Sequence, residues 1–159
     1  MKKSEILKRL YSDDTITISA VDGSKTIFNS EDIFKSWIDS DFKDWDLNKP
    51  DQKTPEIKTQ VYEMAKNANY SQIFGSLNDD LDKLCLTQHQ IAEFCAKNQK
   101  YLRGNGWVTF FLFKVDGKYY VAYVVVLSDG LRVDVRRFED GNVGTAERAH
   151  RVVVPQLEA

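Results

Sequence analysis

The side chains best suited to bind a metal or act as nucleophiles are Cys85, His89, Cys95 and His150. Thiolate and imidazole are the usual zinc ligands, and a structural zinc takes four in a tetrahedron. Cys85-x3-His89 has the wrong spacing for this, because Thr87 between them reads as a helix N-cap and leaves Cys85 outside the helix that carries His89. The chain also has no C-x2-C pair, so no metal is expected. A Cys–His nucleophile pair needs a thiol acidified by an imidazolium or a helix N-terminus. Cys85 lies near such a terminus, but Cys95 sits beside Phe94 in mid-helix, and neither carries a recognised catalytic signature. Both read as free, packed thiols, and no catalytic residue or cofactor is assigned.

Carboxylates gather at residues 39–46 and 79–82, where acid–base pairs or a divalent cation would need them. Neither run has the D-x-D-x-D-G pattern of an EF-hand loop. Asp79, Asp80 and Asp82 are better explained as acids near a helix start, where the macrodipole favours them. Gly104-Asn105-Gly106 lacks the third glycine of a dinucleotide fingerprint and precedes a strand instead of opening a helix.

Arginine concentrates near the C-terminal end: Arg132, Arg136 and Arg137, then Arg148, His150 and Arg151, with Tyr119 and Tyr123 one strand away. Guanidiniums and aromatic faces on an exposed sheet bind single-stranded nucleic acid by stacking and phosphate pairing. The same pattern also arises in ordinary sheets, where Asp134, Glu139, Asp140 and Glu147 would pair with the arginines at about 0.2–1 kcal/mol each. Arg132, Arg136, Arg148 and His150 are the candidate ligand-binding residues.

The elements that must position these groups are written in a chain of 159 residues, 42% hydrophobic and 29% charged, with net charge −2. A domain of that size removes roughly 70% of its unfolded surface from water, enough for a core without disulfides. Residues 1–100 hold 14 Lys+Arg against 17 Asp+Glu, whereas 101–159 hold 8 against 7, so the basic character lies in the C-terminal part. The charged start offers no continuous apolar segment for export. The apolar stretch from Trp107 to Leu127 is broken at Lys114, Asp116, Gly117 and Lys118, too early for a membrane span. A cytoplasmic protein is expected, without membrane contact.

Residues 15–28 are rich in β-branched side chains around Asp22-Gly23-Ser24, which predicts a β-hairpin. Ser30 is placed to cap a short helix that would bury Trp37. Between Asp39 and Thr54 the periodicity dissolves, predicting a linker centred on 49–54 in which Phe42, Trp45 and Leu47 are isolated anchors. Thr54-Pro55 then opens a predicted helix with Ile57, Val61, Met64, Ala65 and Ala68 on one face. Thr87-x-x-Gln90 is a capping box, with Leu86 and Ile91 as its hydrophobic staple, and the helix it starts should end at 103–106. Trp107–Val115 and Lys118–Leu127 flank Asp116-Gly117, a type I′ hairpin that would pair Phe110 with Tyr123 and Phe113 with Tyr120. Leu131–Phe138 alternates, with Arg132, Asp134 and Arg136 on the wet face. Val133 should pair with Val126 or Val125, depending on the turn at 128–130. Arg148–Val154 is the predicted fourth strand, stopped by Pro155.

The expectation is a single α+β domain: hairpin and short helix over 1–48, linker 49–54, a helical segment 55–104, and an antiparallel β-meander of three to four strands over 105–157. Along LTQHQIAEFCAKNQKYLRGNGWVTFFLFKVDGKYYVAYVVVL and the closing HRVVVPQL, about residues 80–157, the chain resembles a group of uncharacterised bacterial proteins with no assigned function. The resemblance carries over no site residues. What remains is a protein-interaction module, contacting a partner or a second copy of itself, or a weak RNA or single-stranded DNA binder.

Overall fold

The computed structural model describes residues 6–104, 106–139, 143–144 and 149–157. Strand β1 (Leu7–Leu10) and strand β2 (Ile16–Ile18) lead into a long irregular stretch broken by β3 (Trp37–Ile38) and helix α1 (Asp41–Asp44). Next come β4 (Ile57–Met64), β5 (Ala68–Asn69), α2 (Tyr70–Gly75), a 3₁₀ turn over Leu81–Leu84 and α3 (Gln88–Lys97). The chain closes with β6 (Val108–Val115), β7 (Lys118–Leu127), β8 (Gly130–Arg137), β9 (Val143–Gly144) and β10 (Arg151–Pro155). The fold is mixed α and β around one eight-stranded sheet, ordered β1-β4-β10-β6-β7-β8-β3 with β2 also on β4.

The predicted β6–β7 hairpin forms in the expected register, Phe110 opposite Tyr123 and Phe113 opposite Tyr120. Its turn needs two positive φ angles, and Asp116 (51°) and Gly117 (82°) supply them. β8 continues the meander, but Val133 pairs with Val124, not with Val125 or Val126. The reason is the turn, which takes only Ser128 and Asp129, so that Gly130 already pairs with Leu127. Gly130 has φ +133° and a Cβ there would meet the Lys35 Cβ at 3.0 Å, a close approach that glycine allows. The expected fourth strand does not extend the meander. β10 starts at Arg151 and lies on the far side of β6, parallel to it and antiparallel to β4.

The N-terminal half departs further from expectation. Residues 57–64 are not a helix but a central strand, pairing with β1, β2 and β10. Four-residue spacing, as between Ile57 and Val61, is also an even step and places both on one side of a strand, so the period does not separate the two structures. Thr54, read as a helix cap, instead bridges to Val21. The 15–28 hairpin is absent: Asp22-Gly23-Ser24 does turn, through the Asp22 carboxylate accepting from the Ser24 N–H at 2.9 Å and hydroxyl at 2.6 Å, but β2 pairs with β4. The helix expected after Ser30 is replaced by turns, because the Ser30 hydroxyl donates back to the Thr26 carbonyl at 2.6 Å instead of capping forward. Trp37 is 45% exposed rather than buried. Residues 49–53 have no regular structure, Thr54 and Val21 exchange backbone bonds at the end of that stretch, and the anchors Phe42 and Leu47 are buried in the core.

Both faces of the sheet carry cover, the second over part of its length. On the first, α3 and residues 14–54 pack over Phe111, Phe113, Ala122, Val124, Val133 and Val153. On the second, residues 68–85 pack over Phe110, Leu112, Val121, Val152 and Val154. α3 starts at the predicted capping box, the Thr87 hydroxyl accepting from the Gln90 N–H at 3.1 Å and the Gln90 amide oxygen from the Thr87 N–H at 2.9 Å. It ends at Lys97, earlier than expected, and a 3₁₀ turn over Gln99–Tyr101 follows.

Candidate interaction surface

Alternation along β8 sends its arginines to two sides. Arg132, Asp134 and Arg136 share the second face with Tyr123, whereas Arg137 points to the first, where its guanidinium lies 4.0 Å from the Trp45 ring centroid. Arg132 donates to both Asp134 carboxylate oxygens, at 3.1 and 3.3 Å, and stacks 4.6 Å from the centroid of Trp37. Arg136 stacks 5.0 Å from the centroid of Tyr123 and donates to the Val135 carbonyl at 3.1 Å. Arg151 also faces the first side, donating to the Tyr101 carbonyl at 2.9 Å. Each of these guanidiniums already has an internal partner.

His150 is not on the surface: it is 6% exposed, rings with Phe110, and its Nδ1 accepts from the Val108 N–H at 3.1 Å. Arg148 lies outside the described residues, as do Asp140 and Glu147. Of the four predicted ligand-binding residues, Arg132 and Arg136 therefore stand together, and His150 is part of the interior. Tyr119 is occupied elsewhere, donating to Asp82 at 2.6 Å beside Lys114, which donates to the same oxygen at 3.0 Å.

The thiols and imidazoles do not assemble either. Burial raises the Cys95 thiol and, with the Asp82 carboxylate as a lesser cause, pushes the Cys85 thiol up to about 12. Such thiols are protonated at neutral pH and are weak nucleophiles. His89 is largely buried, its Nδ1 engaged by the N–H groups of Gly23 and Lys25 at 3.0 and 3.4 Å. Among the described residues, no three His, Cys, Asp or Glu side chains come together as a metal site. Nor is any helix there long and apolar enough to cross a membrane.

Among the described residues, what stands open is one end of the second face. Residues 68–85 cover the end that carries Tyr119, Val121, Leu112 and Phe138. At the other end one lateral row runs Trp37, Arg132, Val125, Val108, and beyond it lie Gly130 and Leu127. Trp37, Val125 and Leu127 belong to neither core cluster. Among the described residues, the large exposed hydrophobics are Trp37, Leu127 at 37%, and the distant Tyr11. Two clefts of about 390 Å³ lie along the same edge but are lined mainly from the first face: one by Val126, Leu131 and Ala96 with Leu127 and Gly130 at its rim, the other by Phe28, Phe34 and Ile38 with Trp37, and Lys35 lines both.

Sequence reasoning found Arg132 but missed the aromatic beside it, because Trp37 was assigned to a buried helix face. The available signal was Ser36-Trp37-Ile38-Asp39, an alternating polar-bounded pair that fits a short edge strand. No protein-family model matches the chain, and no curated protein and no solved structure matches it.

Proposed function

We propose that the protein is a small non-enzymatic protein-interaction module that receives an extended, apolar segment of a partner protein on the open end of its sheet. The observation that carries this reading is the row of Trp37, Arg132 and Val125 with Leu127 beside it, at the end of the second face that the cover by residues 68–85 does not reach. Four strands at about 4.8 Å spacing carry the first row and two of them the second, together roughly 200 Å². That is well below the roughly 800 Å² per partner of a standard interface. The size favours a segment over a second copy of the chain.

Both sheet edges argue against strand addition as the mode of binding. At β8, Ser36 and Asp39 donate to the Leu131 and Val133 carbonyls, and the Asp39 carboxylate accepts from the Val135 N–H at 3.1 Å. At the opposite edge β1 is only four residues long and carries the exposed Lys8 and Arg9, a blunted edge. The alternative reading, single-stranded nucleic acid, is weakened by the internal partners of Arg132 and Arg136, which a phosphate would have to displace.

A benzoylphenylalanine photocrosslinker at Leu127, in cells that produce the protein, should capture a protein partner, and Trp37→Ala should abolish the capture. The same crosslinker at exposed Glu56 serves as control. Capture of nucleic acid, of a second copy, or of nothing above the control would overturn the reading. A labelled single-stranded oligonucleotide should show no binding at low salt. Binding that weakens by a slope of about −0.7 in log affinity per phosphate neutralised, and is lost in Arg132→Glu/Arg136→Glu, would establish the nucleic-acid reading instead.

A further inference from the structure

We propose that His89 is a pH-operated latch for the turn at residues 22–25. The imidazole sits in the first turn of α3, and its Nδ1 accepts from two backbone donors of a distant segment, Gly23 N–H at 3.0 Å and Lys25 N–H at 3.4 Å. Acceptance at Nδ1 requires the neutral ring with its proton on Nε2. A second proton can only enter at Nδ1, and it converts the sole acceptor of both amides into a donor pointed at them. Histidine is the side chain whose ordinary titration falls in the physiological range.

The charged groups around the ring shape the outcome. On the turn, the Asp22 carboxylate lies 3.4 Å from Nδ1 and would take the new proton's hydrogen bond, while Lys25 is turned toward Asp32 at 3.7 Å. From the adjoining segment, Asp51 meets the turn through its N–H, which donates to the Gly23 carbonyl at 2.9 Å, and Lys49 is paired with Asp116. On α3 itself Glu93 is paired with Lys97 at 3.3 Å. Protonation therefore exchanges two backbone anchors for one ion pair to the exposed Asp22 carboxylate, and the turn loosens while staying close.

How far the release spreads is set by packing. A Cβ at Gly23 would come within 2.3 Å of the Gln52 carbonyl oxygen, so the turn and residues 51–54 lie against each other. They are also joined by the paired Val21 and Thr54 bonds at 3.1 and 2.9 Å. Both should respond. Beyond them the segment is tied to α3 by a group that does not titrate: Gln88 accepts from the Ile27 N–H at 3.1 Å and donates to the Leu47 carbonyl at 2.7 Å. Ile27 should keep its bond.

Amide hydrogen exchange followed by NMR between about pH 8 and 5, corrected for intrinsic exchange, tests the latch. Protection at Gly23 and Lys25 should fall by about tenfold on acidification, roughly the loss of one hydrogen bond, while Ile27 stays constant. In His89→Gln the Gly23 protection should not depend on pH. Asp22→Asn, which leaves the ring in place, should move the transition to more acid pH by removing the carboxylate that receives the proton. Constant Gly23 protection in the wild type, a transition that survives His89→Gln, or one that Asp22→Asn leaves in place would each overturn the proposal.

Discussion

The two faces of the central sheet are built from the same kinds of residue and finished differently. The first face carries the more extensive cover, with ring contacts such as Phe94 on Phe111 and Phe42 on Phe113 at 5.5 and 6.1 Å between centroids. Its cover is largely irregular chain, whose buried backbone groups must find partners. Polar side chains in the first turn of α3 provide them, Gln88 for Ile27 and Leu47 and His89 for Gly23. The second face is covered at one end only, by α2 and the 3₁₀ turn, with the Tyr70 and Tyr123 hydroxyls bonded across the junction. The difference teaches that apolar residues alone do not say which face is finished. Polar anchors accompany the irregular cover, and among the described residues no such cover lies over the exposed Trp37 and Leu127 and the half-buried Val125.

The sharpest way to break this comparison is to remove one large side chain from each face. Phe111 is fully buried on the first, and Phe111→Ala should cost about 3–5 kcal/mol through lost transfer energy and an unfilled cavity. Trp37→Ala or Leu127→Ser on the open end should stay within about 0.5 kcal/mol, as exposed substitutions do. Urea melts of the three variants give the ranking. Equal losses would make the open end part of the core and withdraw it as a docking surface.

How much of this was legible beforehand follows from where the structure is local. The Thr87 capping box, the Asp116-Gly117 turn and the Phe110–Tyr123 register depend on neighbours a few residues apart, and they were readable. So was the sharing of one face by Arg132, Asp134 and Arg136, which needs only the two-residue period of a strand. β4 was not, since Ile57 and Val61 satisfy a helix and a strand equally, and pairing with β1 and β10 decides between them. Nor was β10, whose parallel place beside β6 rests on contacts across forty residues of chain. Asn69-x-x-Gln72, a second capping box that opens α2, was present in the sequence and went unread. The candidate surface was half legible: the arginines came from alternation, but Trp37 joins them only through β3, a two-residue parallel pairing that leaves no period to detect.

A smaller effect sharpens the account of the first face. Thr87 caps the helix that carries Gln88 and His89, so Thr87→Ala should cost on the order of 1 kcal/mol without altering the fold. Because the anchors hang on that first turn, the Ile27 amide, which donates to Gln88, should also exchange faster in the variant. A matching midpoint in denaturant would remove the cap from the argument, and unchanged Ile27 exchange would uncouple it from the anchored segment.

The smallest expected effect concerns the covered end of the second face, where Asp82 ties the 3₁₀ turn to β6 and β7. The Tyr119 hydroxyl bond, and after it the Lys114 ammonium, hold its carboxyl below the ordinary value of 3.8. A carboxyl depressed in the folded state contributes stability that is fully present above its unfolded value and is lost as pH falls through the folded one. Asp82 is fully exposed to solvent, so screening keeps the contribution small. Asp82→Asn should therefore lower the urea midpoint slightly at pH 7, and the wild-type and variant midpoints should converge once the pH is taken below the folded value, under 3.8. A difference that persists undiminished in acid would mean that the charge of Asp82 is not what stabilises the fold, since Asn keeps the acceptor oxygen and removes only the charge. No difference at any pH would leave the cover of the second face held by the burial of Ile73, Phe74 and Leu84 and by the Tyr70–Tyr123 hydroxyl bond, with nothing added by the Asp82 charge.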